Sequence, residues 1–355
     1  MNIVFYICFF FLLTSCANII MPTGGEVDKS APQVISISPE NNSLNFKSKE
    51  VVIGFDEYVK INNLSSINFF PNIETAPIIK TEGKSVVVKF KEELKDNTTY
   101  SINFNNSIVD LNEGNAYKDL KYIFSTGEKI DSSKITGKII DLKTNMLRSG
   151  ARIGLFKNLI LSGFDSIIKN KKPDYFVLSD DEGKFTLSNL ENGKYYLYGH
   201  QDFNKNTKYE TGEPISIPIQ IDLSVNAQKN IYLFIENNNQ KKITLDCYSK
   251  NKKLDSIPTG TLNLLFDEDL IKNKNFIGEL MANDTTFLCF RILNNKNKID
   301  SIPEGIFKFR MFEDANENNY WDSGSIKPLK QPEEILFYED TIFIKENWEV
   351  DILIE

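Results

Sequence analysis

The chain has 355 residues, a formal net charge of -8 and a sequence pI of about 5.1. This length accommodates two or three domains with cores of their own. Its 41% hydrophobic residues, with 26 Phe and 14 Tyr, favour folded domains over disorder. The acidic balance and the scattered placement of Lys and Arg argue against a nucleic-acid partner and against electrostatic binding to anionic lipid.

The chain begins with an uncharged apolar run over residues 3–13 that leads into Thr14-Ser15-Cys16. The run is too short for a transmembrane helix and is typical of the hydrophobic region of a signal peptide. Leu13-Thr14-Ser15-Cys16 resembles the lipobox of bacterial lipoproteins, which implies that Cys16 is lipidated and becomes the first residue of the mature protein. The alternative is a buried N-terminal strand with an incidental cysteine, but no equally apolar partner run follows downstream.

We therefore predict a signal peptide and lipobox over residues 1–16. Residues 17–31 contain Pro, paired Gly and polar residues without periodicity, which predicts a flexible tether.

Residues 32–129 contain short apolar runs separated by turn residues, without helical periodicity, which predicts a β-sandwich. The segment resembles the bacterial Ig-like domains of surface-layer and envelope proteins. The matching residues are Pro32, Ser38-Pro39-Glu40-Asn41, Phe55-Asp56-Glu57, Leu94, Asn97-Thr98-Thr99-Tyr100, Asp110, Glu113-Gly114-Asn115 and Phe124-Ser125-Thr126-Gly127. That resemblance implies a fold and no shared catalytic site.

Residues 133–238 form a second block of strand-like runs, at 135–141, 150–156 and 195–198. Asp181-Glu182-Gly183 predicts a hairpin turn, since Gly supplies a positive φ. The order resembles transthyretin-like, carboxypeptidase-regulatory-like and collagen-adhesin B-type modules. The resemblance implies a small β-sandwich used as a stalk, spacer or binding module.

Residues 241–355 are predicted to be a divergent second copy of that module. Five pairs of residues share an offset of 112 positions: Gly193 and Gly305, Asp202 and Asp314, Asn204 and Asn316, Asn206 and Asn318, and Gly212 and Gly324. A fixed offset of this kind indicates an internal repeat, although loop-favouring residues can also agree by chance. The predicted fold class is thus all-β, with three tandem β-sandwich domains, Ig-like first and two transthyretin-like modules after it.

Catalysis by a nucleophile or by general acid–base chemistry usually needs a group that titrates near neutrality, most often His. The chain contains one His, His200, which follows a Tyr-rich strand and is expected at the surface. Carboxylates such as Asp56 and Glu57 are adjacent in sequence, so in a strand they point to opposite faces. The sequence therefore predicts a protein that is not an enzyme.

The repeated loops carry the clearest chemical pattern, because their oxygen side chains follow the spacing of a calcium-binding loop. The first loop offers Asp202, Asn204, Asn206, the Lys208 carbonyl, Glu210 and Glu213, and the second offers Asp314, Asn316, Asn318, the Tyr320 carbonyl and Asp322. This spacing resembles that of EF-hand-like loops, but the second loop has Ser325 at position 12 and neither has Gly at position 6. The alternative is an ordinary turn in which Asp and Asn bond to their own backbone. If calcium binds, it is expected to stiffen the loop.

Two further sets of residues are candidates for covalent modification. Asp followed by Ser or Thr and then by an aliphatic residue or Thr resembles the O-glycosylation motif of exported Bacteroidetes proteins, which implies acceptors at Ser166, Ser256, Thr285, Ser301 and Thr341. A turn Asp that enters a strand gives the same pattern. Cys247 and Cys289 each lie in a strand-like run. They form either a disulfide, as in other exported proteins, or two buried free thiols.

The order of the whole chain resembles Ig-like-domain lipoproteins of the Bacteroidetes envelope. The resemblance implies anchoring in the outer membrane, and the absence of acidic residues directly after Cys16 favours the periplasmic face. We expect a non-catalytic structural or scaffolding role with an envelope-protein partner. Carbohydrate or ligand binding is the alternative, favoured if Tyr195, Tyr196 or Tyr198 are exposed together on one sheet face; a hydrolase is a third.

Overall fold

The computed structural model describes residues 27–224, 226–236 and 258–354. The predicted signal peptide, its Cys16, and the candidate residues Cys247 and Ser256 lie outside this part of the chain. The described residues form three successive groups of strands, which we call modules 1, 2 and 3. The predicted all-β fold with tandem sandwiches is confirmed.

Module 1 contains nine strands and one 3-10 helix. The strands are β1 (Val34–Ser38), β2 (Glu50–Phe55), β3 (Val59–Ile61), β4 (Asn68–Phe70), β5 (Ile78–Glu82), β6 (Ser85–Lys89), β7 (Thr99–Asn105), β8 (Ile108–Asp110) and β9 (Leu120–Ser125), and the 3-10 helix is Leu64–Ser66. One sheet has the order β1-β2-β6-β5 and another β4-β7-β9, while β3 pairs with β8. Inward-facing apolar side chains from both sheets, such as Ile53, Val88, Ile102 and Phe124, form one core.

Module 2 contains eight strands, an α-helix and a 3-10 helix. The strands are β10 (Ser133–Asp141), β11 (Arg152–Phe156), β12 (Tyr175–Leu178), β13 (Lys184–Leu190), β14 (Gly193–His200), β15 (Ile219–Leu223), β16 (Ala227–Gln228) and β17 (Ile231–Leu233); the helices are the 3-10 turn Leu161–Gly163 and α1 (Phe164–Asn170). Sheet β12-β11-β14-β15 faces a sheet in which β10 pairs with β13, β16 and β17. The turn at Gly183 has φ +68°, as predicted for a turn glycine, but it connects β12 and β13 in different sheets. It is therefore a crossing between sheets, and the hairpin prediction is wrong.

Module 3 contains ten strands and one short helix. They are β18 (Thr259–Phe266), α2 (Glu268–Ile271), β19 (Phe276–Ala282), β20 (Thr285–Ile292), β21 (Lys296–Pro303), β22 (Gly305–Glu313), β23 (Ser325–Ile326), β24 (Leu329–Lys330), β25 (Ile335–Phe337), β26 (Ile342–Ile344) and β27 (Glu349–Ile354). One sheet has the order β20-β19-β22-β25, with β26 also on β22, and the facing sheet has the order β21-β18-β27. Phe276, Phe309 and Leu264 are fully or almost fully buried between them.

Modules 2 and 3 share one topology. In each, the first strand pairs antiparallel with the fourth and parallel with the last, as β10 does with β13 and β17, and β18 with β21 and β27. The two strands that precede the Asp/Asn loops, β14 and β22, begin at Gly193 and Gly305, which are 112 positions apart. The sequence offset therefore coincides with equivalent places in the two sandwiches.

The junction between modules 1 and 2 is packed. Phe70, at the end of β4, is 8% exposed and belongs to the core of module 2. Its ring lies 6.3 Å from that of Tyr175 and 5.0 Å from that of Phe176. The backbone N–H of Asn72 donates to the carbonyl of Asp174 at 2.9 Å. Module 1 thus contributes an aromatic side chain to the core of its neighbour.

The helices within the described residues are too short or too polar to cross a lipid bilayer.

Candidate functional site

The first Asp/Asn loop, residues 202–213, follows β14 and is organised around the Asp202 carboxylate. This carboxylate accepts the backbone N–H groups of Asn206 at 3.1 Å and Thr207 at 2.7 Å. The Arg152 guanidinium on β11 lies 3.8 Å from Asp202, and both side chains are almost fully buried. The loop backbone therefore wraps around this carboxylate and is held by hydrogen bonds to it, as in a turn formed by a short acidic side chain.

Two glutamates close the first loop. The side-chain amides of Asn204 and Asn206 donate to the Glu210 carboxylate at 3.1 and 2.6 Å. Glu213 accepts the backbone N–H of Phe203 at 3.0 Å and that of Glu210 at 2.9 Å. Residues at the predicted positions 3, 5, 9 and 12 therefore converge in space.

The second loop, residues 314–322, repeats this arrangement. The Asp314 carboxylate is fully buried and accepts the backbone N–H groups of Asn318 at 2.9 Å and Asn319 at 3.1 Å. The side-chain amide of Asn316 donates to Asp322 at 2.6 Å, as that of Asn204 does to Glu210. The two loops thus share their internal hydrogen bonds as well as their spacing.

Glu333 is a carboxylate of the second loop that the sequence did not reveal. Position 12 of the second loop is Ser325, and the prediction therefore left this loop without a glutamate there. In the structure, Glu333 accepts the backbone N–H of Ala315 at 3.0 Å and that of Asp322 at 2.8 Å. In the first loop, Glu213 accepts the backbone N–H groups of Phe203 and Glu210, which lie 112 positions before Ala315 and Asp322. Burial raises the pKa of Glu333, and the nearby charges of Asp322 and Asp314 raise it further.

Position 6 lacks glycine in both loops but has the backbone conformation that glycine favours. Thr207 has φ +70° and Asn319 has φ +66°. Position 4 also agrees between the loops, since Lys205 and Glu317 have φ +59° and +57°. Four non-glycine residues in the left-handed region mean that the side-chain hydrogen bonds impose this conformation against its intrinsic cost.

The residue types of both loops fit a calcium ion, which takes six to eight oxygen ligands. In each loop two Asn side chains bond to one carboxylate, while the first Asp and the closing Glu accept backbone N–H groups. The Asn side-chain amides donate to a carboxylate, and the Asn side-chain oxygens accept the backbone N–H two residues on, as in an ordinary Asx turn. The arginine beside the first Asp of each loop offsets part of its negative charge. Counting only His, Cys, Asp and Glu, the described residues contain no group of three or more that could hold a metal ion, so a calcium ion here would rely on amide and carbonyl oxygens as well.

His200 lies in the interior of module 2, so the expectation of a surface residue is wrong. Its side chain is 1% exposed and stacked on the Tyr198 ring at 5.9 Å, and neither ring nitrogen has a hydrogen-bond partner among the described residues. Burial, reinforced by the positive charge of Arg152, lowers the pKa of His200 from 6.5 to about 4. The imidazole is thus neutral and enclosed at neutral pH.

The tyrosines that were expected to favour carbohydrate binding are not exposed together. Tyr195 is 0% exposed in the core between the sheets, and Tyr198 is 2% exposed on the opposite face of β14. Tyr196 is half-buried against the cluster that contains Tyr198. Other segments cover both faces of this strand.

The candidate modification sites occupy varied positions. Ser166 lies in α1, Thr285 begins β20, and Ser301 in β21 has φ +62°. These three and Thr341 are exposed. Cys289 on β20 is 3% exposed and disulfide-bonded. Pairing with Cys247, like glycosylation at the four exposed positions, stays a prediction.

Comparison with known families gives a match in the first part of the chain. Residues 28–126 match the family described as "Bacterial Ig-like domain", which covers module 1. This description names a fold and no reaction. A search of curated proteins found no match to the chain.

Comparison with solved structures gives distant similarities. The major pilin subunit of Bacillus cereus is 14% identical, with 57% of this chain and 70% of that chain covered and a TM-score of 0.20. The minor pilin GBS52 of Streptococcus agalactiae is 14% identical over 63% and 94%, with a TM-score of 0.21. A DUF3823 family protein from Parabacteroides merdae is 9% identical over 62% and 100%, with a TM-score of 0.20. We draw no functional argument from structural similarities this distant. The family match identifies a bacterial Ig-like domain at residues 28–126.

Proposed function

We propose that this protein is a lipid-anchored component of a bacterial cell envelope with a non-catalytic structural or scaffolding role. The observation that carries the proposal is the way its modules are joined. The Phe70 side chain enters the core of module 2, and Ile326 of module 3 enters a second apolar cluster of module 2. Such junctions suit a protein that holds surfaces in fixed positions.

The anchor is proposed from Leu13-Thr14-Ser15-Cys16. Lipid on Cys16 would supply the acyl chains that stable attachment to a bilayer requires, since a single chain holds a protein only weakly. The tether over residues 17–31 would then separate the membrane from module 1. We place the protein at the outer membrane, facing the periplasm.

The partner is proposed to be another envelope protein that docks on sandwich edges and loops. Crosslinking in native membranes followed by pull-down of the full chain tests this. A membrane protein recovered in a constant ratio to the chain would support scaffolding. Recovery of the chain alone at every crosslinker length, together with retention on a glycan column, would refute it and favour carbohydrate binding. Trp348, 61% exposed, and Phe343, 59% exposed, are aromatic side chains available for that alternative.

Calcium in the two Asp/Asn loops is a further proposal. The supporting observation is that Glu333 supplies, from a different place in the sequence, the interaction that Glu213 supplies in the first loop. The cation would stiffen each loop. Terbium, which replaces calcium at oxygen sites, should emit when Trp321 in the second loop is excited. Emission that calcium does not displace would contradict the proposal.

A further inference from the structure

The hairpin of module 3 that follows the second loop lies on module 2. Its strands are β23 and β24, and its Ile326 side chain is 4% exposed. Ile326 belongs to an apolar cluster whose other buried members all come from module 2, among them Phe164 on α1 and Tyr198 on β14. Module 3 thus completes a hydrophobic cluster on the outer face of sheet β12-β11-β14-β15.

Equivalent aromatic residues of the two Asp/Asn loops meet in this cluster. Tyr209 in the first loop and Trp321 in the second are 112 positions apart. Tyr209 is 1% exposed within the cluster, and Trp321 packs against it. Trp321 also packs against a separate cluster of module 3, formed by Ile277, Cys289 and Phe312. The two loops therefore contribute matching side chains to the space between the modules.

The Glu236 carboxylate links the first loop to the hairpin. It accepts the Tyr209 hydroxyl at 2.8 Å from module 2. It also accepts the Ser325 hydroxyl at 3.2 Å and the Ile326 backbone N–H at 2.9 Å from module 3. A carboxylate with three donors from two modules fixes their mutual orientation, because charged hydrogen bonds are stronger than neutral ones.

Two further contacts cross the same junction. The Arg310 guanidinium is paired with Glu279 at 2.5 Å, is almost fully buried, and donates to the backbone carbonyl of Lys143 in module 2. Lys327 in the hairpin lies 3.0 Å from Asp165 on α1. The Arg310 contact is the more informative one, because a buried charge tolerates little change in its surroundings, whereas Lys327 is exposed.

Gly324 shows how closely the modules approach. A Cβ atom at this position would lie 2.8 Å from the Phe234 ring of module 2 and 2.8 Å from the Lys330 carbonyl. Such distances are shorter than carbon contacts allow, so any side chain here would force the hairpin or the ring to move.

From these contacts we propose that modules 2 and 3 form a single rigid, cooperative unit, with the two Asp/Asn loops and the Gly324–Lys330 hairpin as its joint. A substitution in one module then destabilises the other. The repeated loops then have a role in the junction that is separate from scaffolding. The unit holds with or without lipid or calcium.

Hydrogen exchange in the full chain tests the unit, with Ile326→Asp as the variant. Ile306→Asp is the matched control, since Ile306 lies on β22 of the same module and is 61% exposed. The reporters are the backbone N–H groups of Ile215 and Phe234 in module 2, which bond to each other's carbonyls at 2.8 and 2.9 Å. Ile326→Asp should speed exchange at both reporters by on the order of tenfold or more, whereas the control should change it by less than about twofold.

The reciprocal experiment reads a change in module 2 from module 3. Tyr209→Phe removes the hydroxyl that donates to Glu236 and keeps the ring, so it should speed exchange of the Ile326 backbone N–H. If Ile326→Asp fails to fold, Ile326→Ala serves with the same reporters. The proposal is overturned if calorimetry of the wild type resolves separate transitions for modules 2 and 3, or if the substitutions change exchange only in the module that carries them.

Discussion

The buried imidazole of His200 should make module 2 unstable in weak acid, and replacement by Phe should remove this sensitivity. Phe is a suitable substitute because Phe312, 112 positions later, is itself 1% exposed on the equivalent strand of module 3. In the folded protein the pKa of His200 is about 4, against 6.5 for an unperturbed imidazole. Between these values the unfolded chain binds a proton at this site and the folded chain does not.

The sign and size of the effect follow from that difference. Stability contributed by the neutral imidazole is fully present above pH 6.5, is lost progressively as the pH falls from 6.5 to 4, and falls no further below that. A pKa difference of roughly 2.5 at about 1.4 kcal/mol for each pH unit gives a loss of about 3 kcal/mol. For a unit of about 200 residues this corresponds to a decrease in Tm of roughly 6–12 °C.

Calorimetry of the wild type and of His200→Phe from pH 7.5 to 4.0 measures this effect. Carboxylates titrate in both proteins, so the difference between the two Tm curves isolates the imidazole. The wild type should lose stability relative to the variant progressively below pH 6.5. Curves that stay parallel over the whole range would refute the argument, because His200 would then have the same proton affinity in both states.

Two other substitutions test the loops and the first junction. Glu333→Gln should abolish the part of a calcium-induced rise in Tm that comes from the second loop. That part is worth about 2.7 kcal/mol at a calcium concentration 100 times Kd. The control Glu334→Gln changes an exposed carboxylate that pairs with Lys274 and should leave the rise intact, so equal calcium responses in the two variants would contradict the assigned role of Glu333. Phe70→Ala should reduce the free energy of urea unfolding of modules 1 and 2 by about 3 kcal/mol, because it removes a ring that is 8% exposed. Leu64→Ala, at a side chain 55% exposed, should change it by less than about 0.5 kcal/mol, and similar losses in the two variants would argue against a packed junction.

The strands and the repeat could be predicted from sequence because they depend on local patterns. Alternating apolar residues and turn-forming Asn and Gly mark strands wherever they lie, and an offset of 112 positions can be read without knowledge of contacts. The turn that follows Asp110 is another feature that depends only on residues close in sequence. Its carboxylate binds the backbone N–H groups of Glu113, Gly114 and Asn115, all within five residues.

The candidate site was only partly predictable, since several of its residues act from distant positions. Glu333 lies 19 positions after Asp314 and beyond the hairpin, so no loop template includes it. His200 was expected at the surface because strand ends usually are exposed, but Tyr198 and Arg152 enclose it from neighbouring positions in the sheet. Ile326 is one of many isolated apolar residues, and its burial depends on a surface of another module.

The central proposal, a lipid-anchored scaffold, is tested most directly by Cys16→Ser. We expect the wild-type chain to remain in the membrane pellet after a high-salt wash and to carry added lipid mass on Cys16. The variant should move to the soluble fraction while its modules unfold at the same Tm as in the wild type. A variant that still pellets with membranes, or a wild-type Cys16 without lipid, would contradict the anchor.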